Sequence, residues 1–217
     1  MVKVFSTVNG GKKMSEAIEN SKGKLGVESG NSVPEGYQAK FVDYPFTKED
    51  VTFQDHLEKV KRFRPEVAVS PDIEKGRTLE EAVELEDRLL EYADDVVIVP
   101  KTVRPEKVPS RFVVGYPNAT FGSDDTFNDL KHYRSADRIH ILGGTPLRQQ
   151  KRAAKIGEKR IFSVDTASFQ IDAQYGAVWT GNRWVERPDL GLYERVTETL
   201  DNMWKYWNEP RGLQRFE

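Results

Sequence analysis

The stretch Ile139–Ser168, IHILGGTPLRQQKRAAKIGEKRIFSVDTAS, decides the fold. It holds two short apolar runs, IHIL and IFSV, on either side of a helical segment. Gly143-Gly144 breaks the chain before that segment, Pro146 suits its first turn and Gly157 its end. A strand, a crossover helix and a second strand make a parallel pair. The second strand ends in an aspartate, Asp165, beside a Gly-Gly turn and a basic helix.

Working outward, six more runs of this kind appear: VKVFSTV, KLGVES, AKFVDYPF, EVAVSPD, DVVIVPK and RFVVGYP. Each is short, rich in Val, Ile or Phe, and bounded by polar, Gly or Pro residues, as buried parallel strands are. Helical patterns fill most of the intervals: KMSEAIENS, TFQDHLEKVKRF, TLEEAVELEDRLLEYADD and DDTFNDLKHYRSA. In the third, Thr78 and Glu81 form a capping box, and an apolar stripe from Leu79 to Ala93 is interrupted by Glu86. The interval between DVVIVPK and RFVVGYP has room for a single turn. Eight strand units predict an α/β fold, a closed (β/α)8 TIM-like barrel, rather than an open sheet, although such barrels typically take about 250 residues. Beyond the eighth strand, AVWTGNRWV predicts a β-hairpin turning at Gly181-Asn182. LYERVTETLDNMWKYW predicts an amphipathic closing helix. The expectation is one domain over residues 1–217, with the hairpin and helix as an extension from about residue 170.

The 217 residues are 37% hydrophobic and 31% charged, with a formal net charge of −2. That profile is globular and gives no sign of a strongly basic nucleic-acid binder, although local patches can do that work. With no cysteine, disulfides, thiolate zinc sites, iron–sulfur clusters and cysteine nucleophiles are all excluded. No apolar run reaches membrane-spanning length and no signal-peptide core is present, so the cytoplasm is the expected location.

In a barrel, functional groups gather at the C-terminal ends of the strands. Read in order, those ends are Glu28, Asp43, Asp72, Lys101, Gly115-Tyr116, Gly143-Gly144 and Asp165. Carboxylates converging on one mouth need a cation, a shared proton or a polar ligand. The competing reading makes each aspartate a helix cap or turn residue. Thr78 already caps its helix, which leaves Asp72 without that job. Asp43 lies beside Tyr44 and Phe46, which are either a stacking wall or ordinary packing. Gly115 either lets a flat ligand approach the backbone or serves a turn. Gly143 and Gly144 open a helix whose N–H groups can bind an anion. Arg148, Lys151, Arg152 and Lys155 then either line a phosphate backbone or form a solvated face. His56, His132 and His140 lack metal-binding spacing, and His140 packs or bonds inside the barrel. There is no Ser/His/Asp triad, P-loop or dinucleotide fingerprint, and no metal or cofactor is expected.

The run HILGGTP…IFSVDTAS resembles the end of the tRNA-guanine transglycosylase barrel, where a glycine-rich turn opens a helix and the next strand ends in the nucleophilic aspartate. FVDYPF, AVSPD and VVGYP resemble its other acidic and glycine strand ends. The pattern from FVDYPF through HLEKVKRFRPEVAVSPD to AVWTGNRWV, roughly Ala39 to Trp207, is more similar still to a small branch found in phages, bacteria and archaea, related to the DNA deazapurine transglycosylases. The chain departs from the tRNA enzymes in lacking the cysteine-rich zinc site and the DSGGFQ signature.

The resemblance implies a guanine transglycosylase that exchanges guanine for a 7-deazaguanine, in DNA rather than tRNA, in the host cytoplasm if phage-encoded. It implies Asp165 as nucleophile, Asp43 as acid/base and Asp72 as base reader. Gly115, Tyr116, Gly143 and Gly144 become base-pocket residues, and Arg148, Lys151, Arg152 and Lys155 hold the backbone. Stacking on Tyr44, Phe46, Tyr116 or Phe121 would help to hold a flipped base. Two rivals stand beside it: a Mg²⁺-dependent phosphodiesterase or nuclease in which the three aspartates hold metal, and a non-catalytic nucleic-acid-binding barrel.

Overall fold

A computed structural model describes residues 1–45, 50–117 and 129–210. Phe46 and Phe121 lie outside the described residues.

The chain runs β1 (Lys3–Val8), α1 (Lys12–Glu19), β2 (Lys24–Glu28), β3 (Phe41–Asp43), α2 (Phe53–Phe63), β4 (Val67–Val69), α3 (Leu79–Leu90) and β5 (Asp95–Ile98). A single 3₁₀ turn, Pro105–Lys107, fills the short interval before β6 (Val113–Pro117). Then come α4 (Leu130–Tyr133), β7 (Ile139–Leu142), α5 (Pro146–Ile156), β8 (Ile161–Asp165) and α6 (Phe169–Gln174). The hairpin β9 (Ala177–Trp179) and β10 (Trp184–Glu186) and the closing helix α7 (Leu192–Asn208) complete it. Strands β1 to β8 pair in sequence order, and β1 pairs with β8, so the parallel sheet closes into the expected barrel.

Local chemistry sets the element ends. Thr52 and Thr78 each accept from the N3 backbone N–H, while Asp55 and Glu81 accept from the backbone N–H of the cap, so α2 and α3 both start on capping boxes. Thr145 caps α5, and Pro146 occupies its first turn. Strands β3 and β4 are only three residues long. Pro45 and Pro71 follow closely and cannot donate to a ladder. The helical pattern read from Thr78 to Asp95 stops at Leu90, and α6 was not anticipated. Residues 29–40, between β2 and β3, contain no helix.

Two apolar layers result. Phe5, Phe41, Val67, Val69, Val97, Val99 and Val113 fill the barrel interior. The larger layer between strands and helices includes Ile18, Leu57, Leu89, Ile141, Val164 and Leu200. Phe5 and Phe41 stack at 4.9 Å, and Phe41 stacks on His140 at 5.4 Å, forming an aromatic floor across the barrel. No described helix is long and apolar enough to cross a membrane.

Gly115 belongs to this interior. A Cβ there would sit 2.7 Å from Val99 Cγ2, 2.9 Å from Val97 Cγ1 and 3.0 Å from Leu142 Cδ1. Its smallness makes room for those side chains. Gly115→Ala is therefore expected to cost about 1–3 kcal/mol by overpacking. Chemical denaturation of the two proteins checks this, and an unchanged midpoint would mean the interior has slack that the packing denies.

Candidate functional site

The C-terminal ends of the strands enclose a cavity of about 230 Å³ at the barrel mouth, lined by residues that include Glu28, Asp43, Asp72, Lys101, Gly143 and Asp165. The three aspartates named from the sequence thus share one space. Tyr44 lines it too, with its hydroxyl donating to the Val51 carbonyl at 2.8 Å.

Asp165 ends β8 and is 6% exposed. Its Oδ1 accepts from the Gly143 N–H at 2.9 Å and lies 3.0 Å from His140 Nε2. His140 Nδ1 lies 2.7 Å from Ser163 Oγ. When Asp165 is ionised its oxygens only accept, so Nε2 carries the imidazole proton and the Ser163 hydroxyl donates to Nδ1. His140, Ser163 and Asp165 share the inner face because a register shift at Ile139/His140 brings His140 opposite Ser163. Asp165 Oδ2 accepts no hydrogen bond from the described residues, so it is the oxygen left for a ligand. Gln149, fully buried on α5, donates through Nε2 to the Asp165 carbonyl at 2.7 Å and to the Gly143 carbonyl at 2.9 Å. It braces the ends of β7 and β8 against each other.

Asp43 lies in the opposite electrostatic condition. Burial first, then the charges of Asp165, Glu28 and Asp72, hold its carboxyl well above the ordinary range, against a hydrogen bond from the Tyr44 backbone N–H. One carboxyl of the cavity is therefore anchored by N–H groups while another favours its proton.

Asp72 is held from two sides. Its Oδ2 lies 2.7 Å from Lys101 Nζ, which also lies 2.8 Å from Glu74 Oε1. Burial works against the Lys101 charge, but the bonds to Asp72 and Glu74 outweigh it and keep its pKa above the ordinary lysine value. Behind the loop, Arg77 Nη1 donates to the Pro71 carbonyl at 2.5 Å, and Arg77 Nη2 lies 3.0 Å from Glu86 Oε1. Glu86 is fully buried, and burial, opposed by Arg77, pushes its carboxyl up to about 7. The acid that interrupts the stripe of α3 is thus the anchor for the arginine that grips the Asp72 loop.

Other sequence-derived candidates fall elsewhere. Gly115 packs inside the barrel, as described, and does not line the cavity. Tyr116 points outward, because side chains alternate along β6. Its ring meets Tyr133 of α4 edge-on at 4.8 Å, and Arg152 of α5 lies 5.8 Å from its centroid. Tyr116 is therefore no stacking wall for a ligand at the mouth. Gly143 and Gly144 adopt φ +56° and +76°, a conformation that suits glycine. The anion that meets Gly143 is the protein's own Asp165, and the Gly144 carbonyl accepts from Thr166 and Ser168. Arg148, Lys151 and Lys155 are exposed, but a helix rises about 1.5 Å per residue. The basic side chains therefore run down the outer wall, with only Arg148 in the turn nearest the mouth. Among the described residues, no group of three His, Asp or Glu side chains is arranged to hold a metal ion.

Residues 24–208 match the model described as Family of unknown function (DUF6610). The chain belongs to that family. No curated protein matches it. The DUF6610 span takes in β2 through α7, including Glu28, Asp43, Asp72, Lys101, Gly143 and Asp165. It leaves out β1, which contributes Thr7 to the cavity.

The site carries a stability signature. Asp43 has a raised folded-state pKa, so the folded state holds its proton more tightly than the unfolded chain. That contribution is complete below the ordinary value of 3.8 and is lost as pH rises through the raised folded value. Asp43→Asn is expected to gain stability relative to the parent as pH rises across that window. Denaturation midpoints over a pH series check the sign, and a variant whose midpoint falls relative to the parent's as pH rises would contradict it.

Proposed function

We propose that the chain is a guanine transglycosylase that exchanges guanine in nucleic acid for a 7-deazaguanine through a glycosyl-enzyme on Asp165. The observation that carries this reading is that Asp165 and Asp43 line one cavity, Asp165 held by His140 and the Gly143 N–H and Asp43 kept toward its protonated form by burial and neighbouring charges. Pairs of carboxyls divided in this way assign themselves to nucleophile and acid. Asp165 Oδ2 attacks C1′ while the C1′–N9 bond breaks. Asp43 gives its proton to the departing guanine, which would otherwise leave as an anion. The incoming deazaguanine then attacks C1′, returns the sugar to a base, frees the Asp165 carboxylate and gives its proton to Asp43. This is the double displacement of retaining glycosidases.

His140 and the Gly143 N–H hold Oδ1, so the nucleophile enters the cavity by one oxygen in one orientation. The target in this reading is DNA, in line with the sequence resemblance, and the base must be flipped into the cavity, at a cost of a few kcal/mol. Of the basic residues described on α5, Arg148 lies in its first turn and would be the one to meet a phosphate beside the flipped nucleotide. The carboxylates offer less to a Mg²⁺ nuclease, because Asp72 is paired with Lys101 and Asp165 Oδ1 with N–H donors.

Asp165→Asn is expected to abolish exchange of labelled guanine, a loss on the order of 10³-fold or more. Asp43→Asn should lower it by about 10²–10⁴-fold. Because Asp43 must begin protonated, exchange by the parent enzyme should fall as pH rises through its raised pKa. Parent-like exchange by the Asp165 variant would refute the nucleophile assignment. DNA and tRNA run side by side in that assay identify the target.

A further inference from the structure

We infer that Lys101 and Asp72 together read the lactam edge of a 6-oxopurine, with the Lys101 ammonium donating to O6 and the Asp72 carboxylate accepting from N1–H. This rests on the base-exchange reading of the cavity and assigns that site a specificity-determining cation.

Lys101 follows β5, and Asp72 sits in the loop after β4, the neighbouring strand. Both line the cavity, and their charged atoms are 2.7 Å apart. A donor and an acceptor side by side, both facing a flat ligand, complement an edge that offers C=O and N–H side by side. Guanine and its 7-deaza analogues present that edge. Adenine presents the reverse, an amino donor beside an N1 acceptor, and would set donor against donor and acceptor against acceptor.

The ammonium has three protons. Asp72 and Glu74 take two, and the third has no partner among the described residues. The Lys101 side chain is only 12% exposed, so that proton is poorly served by bulk water. Glu74 is 65% exposed and does not line the cavity, whereas Asp72 does, so the ammonium bridges a solvent-facing carboxylate and a cavity-lining one. The Asp72 backbone cannot readily swing to follow a different edge. Arg77 holds the Pro71 carbonyl, and Ile73 exchanges backbone hydrogen bonds with Val99 and Thr102. The reader is thus rigid on the carboxylate side and charged on the donor side. A hydrogen bond to a charged group is worth enough to discriminate by about tenfold or more.

The test compares guanine with 6-thioguanine, which keeps N1–H and the 2-amino group but replaces O6 with sulfur, a weaker acceptor. Binding of each free base to the full chain is measured by calorimetry for the parent, Lys101→Met and Lys101→Arg, alongside guanine exchange by the parent. The parent should favour guanine by about tenfold. Lys101→Met should bring the two affinities together by weakening guanine alone, and Lys101→Arg should restore part of the preference. Equal affinities in a parent that exchanges guanine would overturn the O6 contact while leaving base exchange standing, whether or not the variants fold. So would an undiminished preference in Lys101→Met. A parent that neither exchanges nor binds either base would overturn both.

Discussion

The fixed point of this structure is a carboxylate inside the mouth of a closed barrel. Asp165 is nearly buried, and a buried carboxylate persists only where donors replace its water. Two do so here, one from a side chain and one from the backbone. Each depends on a different level of the fold. His140 reaches Asp165 because β7 and β8 are adjacent and their register slips by a residue at Ile139/His140. The Gly143 N–H reaches it because a left-handed turn ends β7 just where β8 delivers the aspartate. Gln149 ties the two strand ends together from the first turns of α5. Ser163 in turn engages the far nitrogen of His140.

The rest of the mouth responds to that anion. Asp43, on β3, faces Asp165, Glu28 and Asp72 without a cationic partner of its own among the described residues, and the repulsion adds to burial in favouring its proton. Asp72 is instead paired with Lys101. The acids around the cavity thus stand in different surroundings, with Asp165 held by N–H donors, Asp43 favouring its proton and Asp72 ion-paired with Lys101. The layer beneath them is aromatic and aliphatic, with Phe5, Phe41 and Val99 forming an apolar base. In such surroundings each charge is felt more strongly than in water. The buried Arg77–Glu86 pair extends the pattern behind the wall, where it holds the backbone that presents Asp72.

Periodicity and punctuation carried most of the architecture. All eight strands, the hairpin and the closing helix stand where apolar runs, Gly, Pro and capping residues put them, because those signals are local. α6 escaped notice because six residues after a strand are too few to establish a helical period. Within the site, the acids read at the strand ends line one cavity, since a barrel gathers those ends at one face. What sequence could not supply was side-chain direction. Gly115 and Tyr116 are adjacent, and the alternation of β6 sends one into the core and the other toward the helices. Nor could it supply the cross-strand register that joins His140 to Asp165, or the brace from Gln149, which sits unmarked in a basic helix. Glu86 did leave a trace, as the one acid in an apolar stripe, but its partner lay in a loop nine residues away.

The central claim is that Asp165 forms a bond to the sugar. It is tested most directly by incubating the full chain with a guanine-containing oligodeoxynucleotide in the absence of incoming base, quenching in denaturant, and mapping any protein–DNA adduct by peptide mass spectrometry. The account predicts an adduct on the peptide that contains Asp165, lost in Asp165→Asn and discharged by added 7-deazaguanine. An adduct at Asp43, or none under conditions where the protein exchanges labelled guanine, would contradict it.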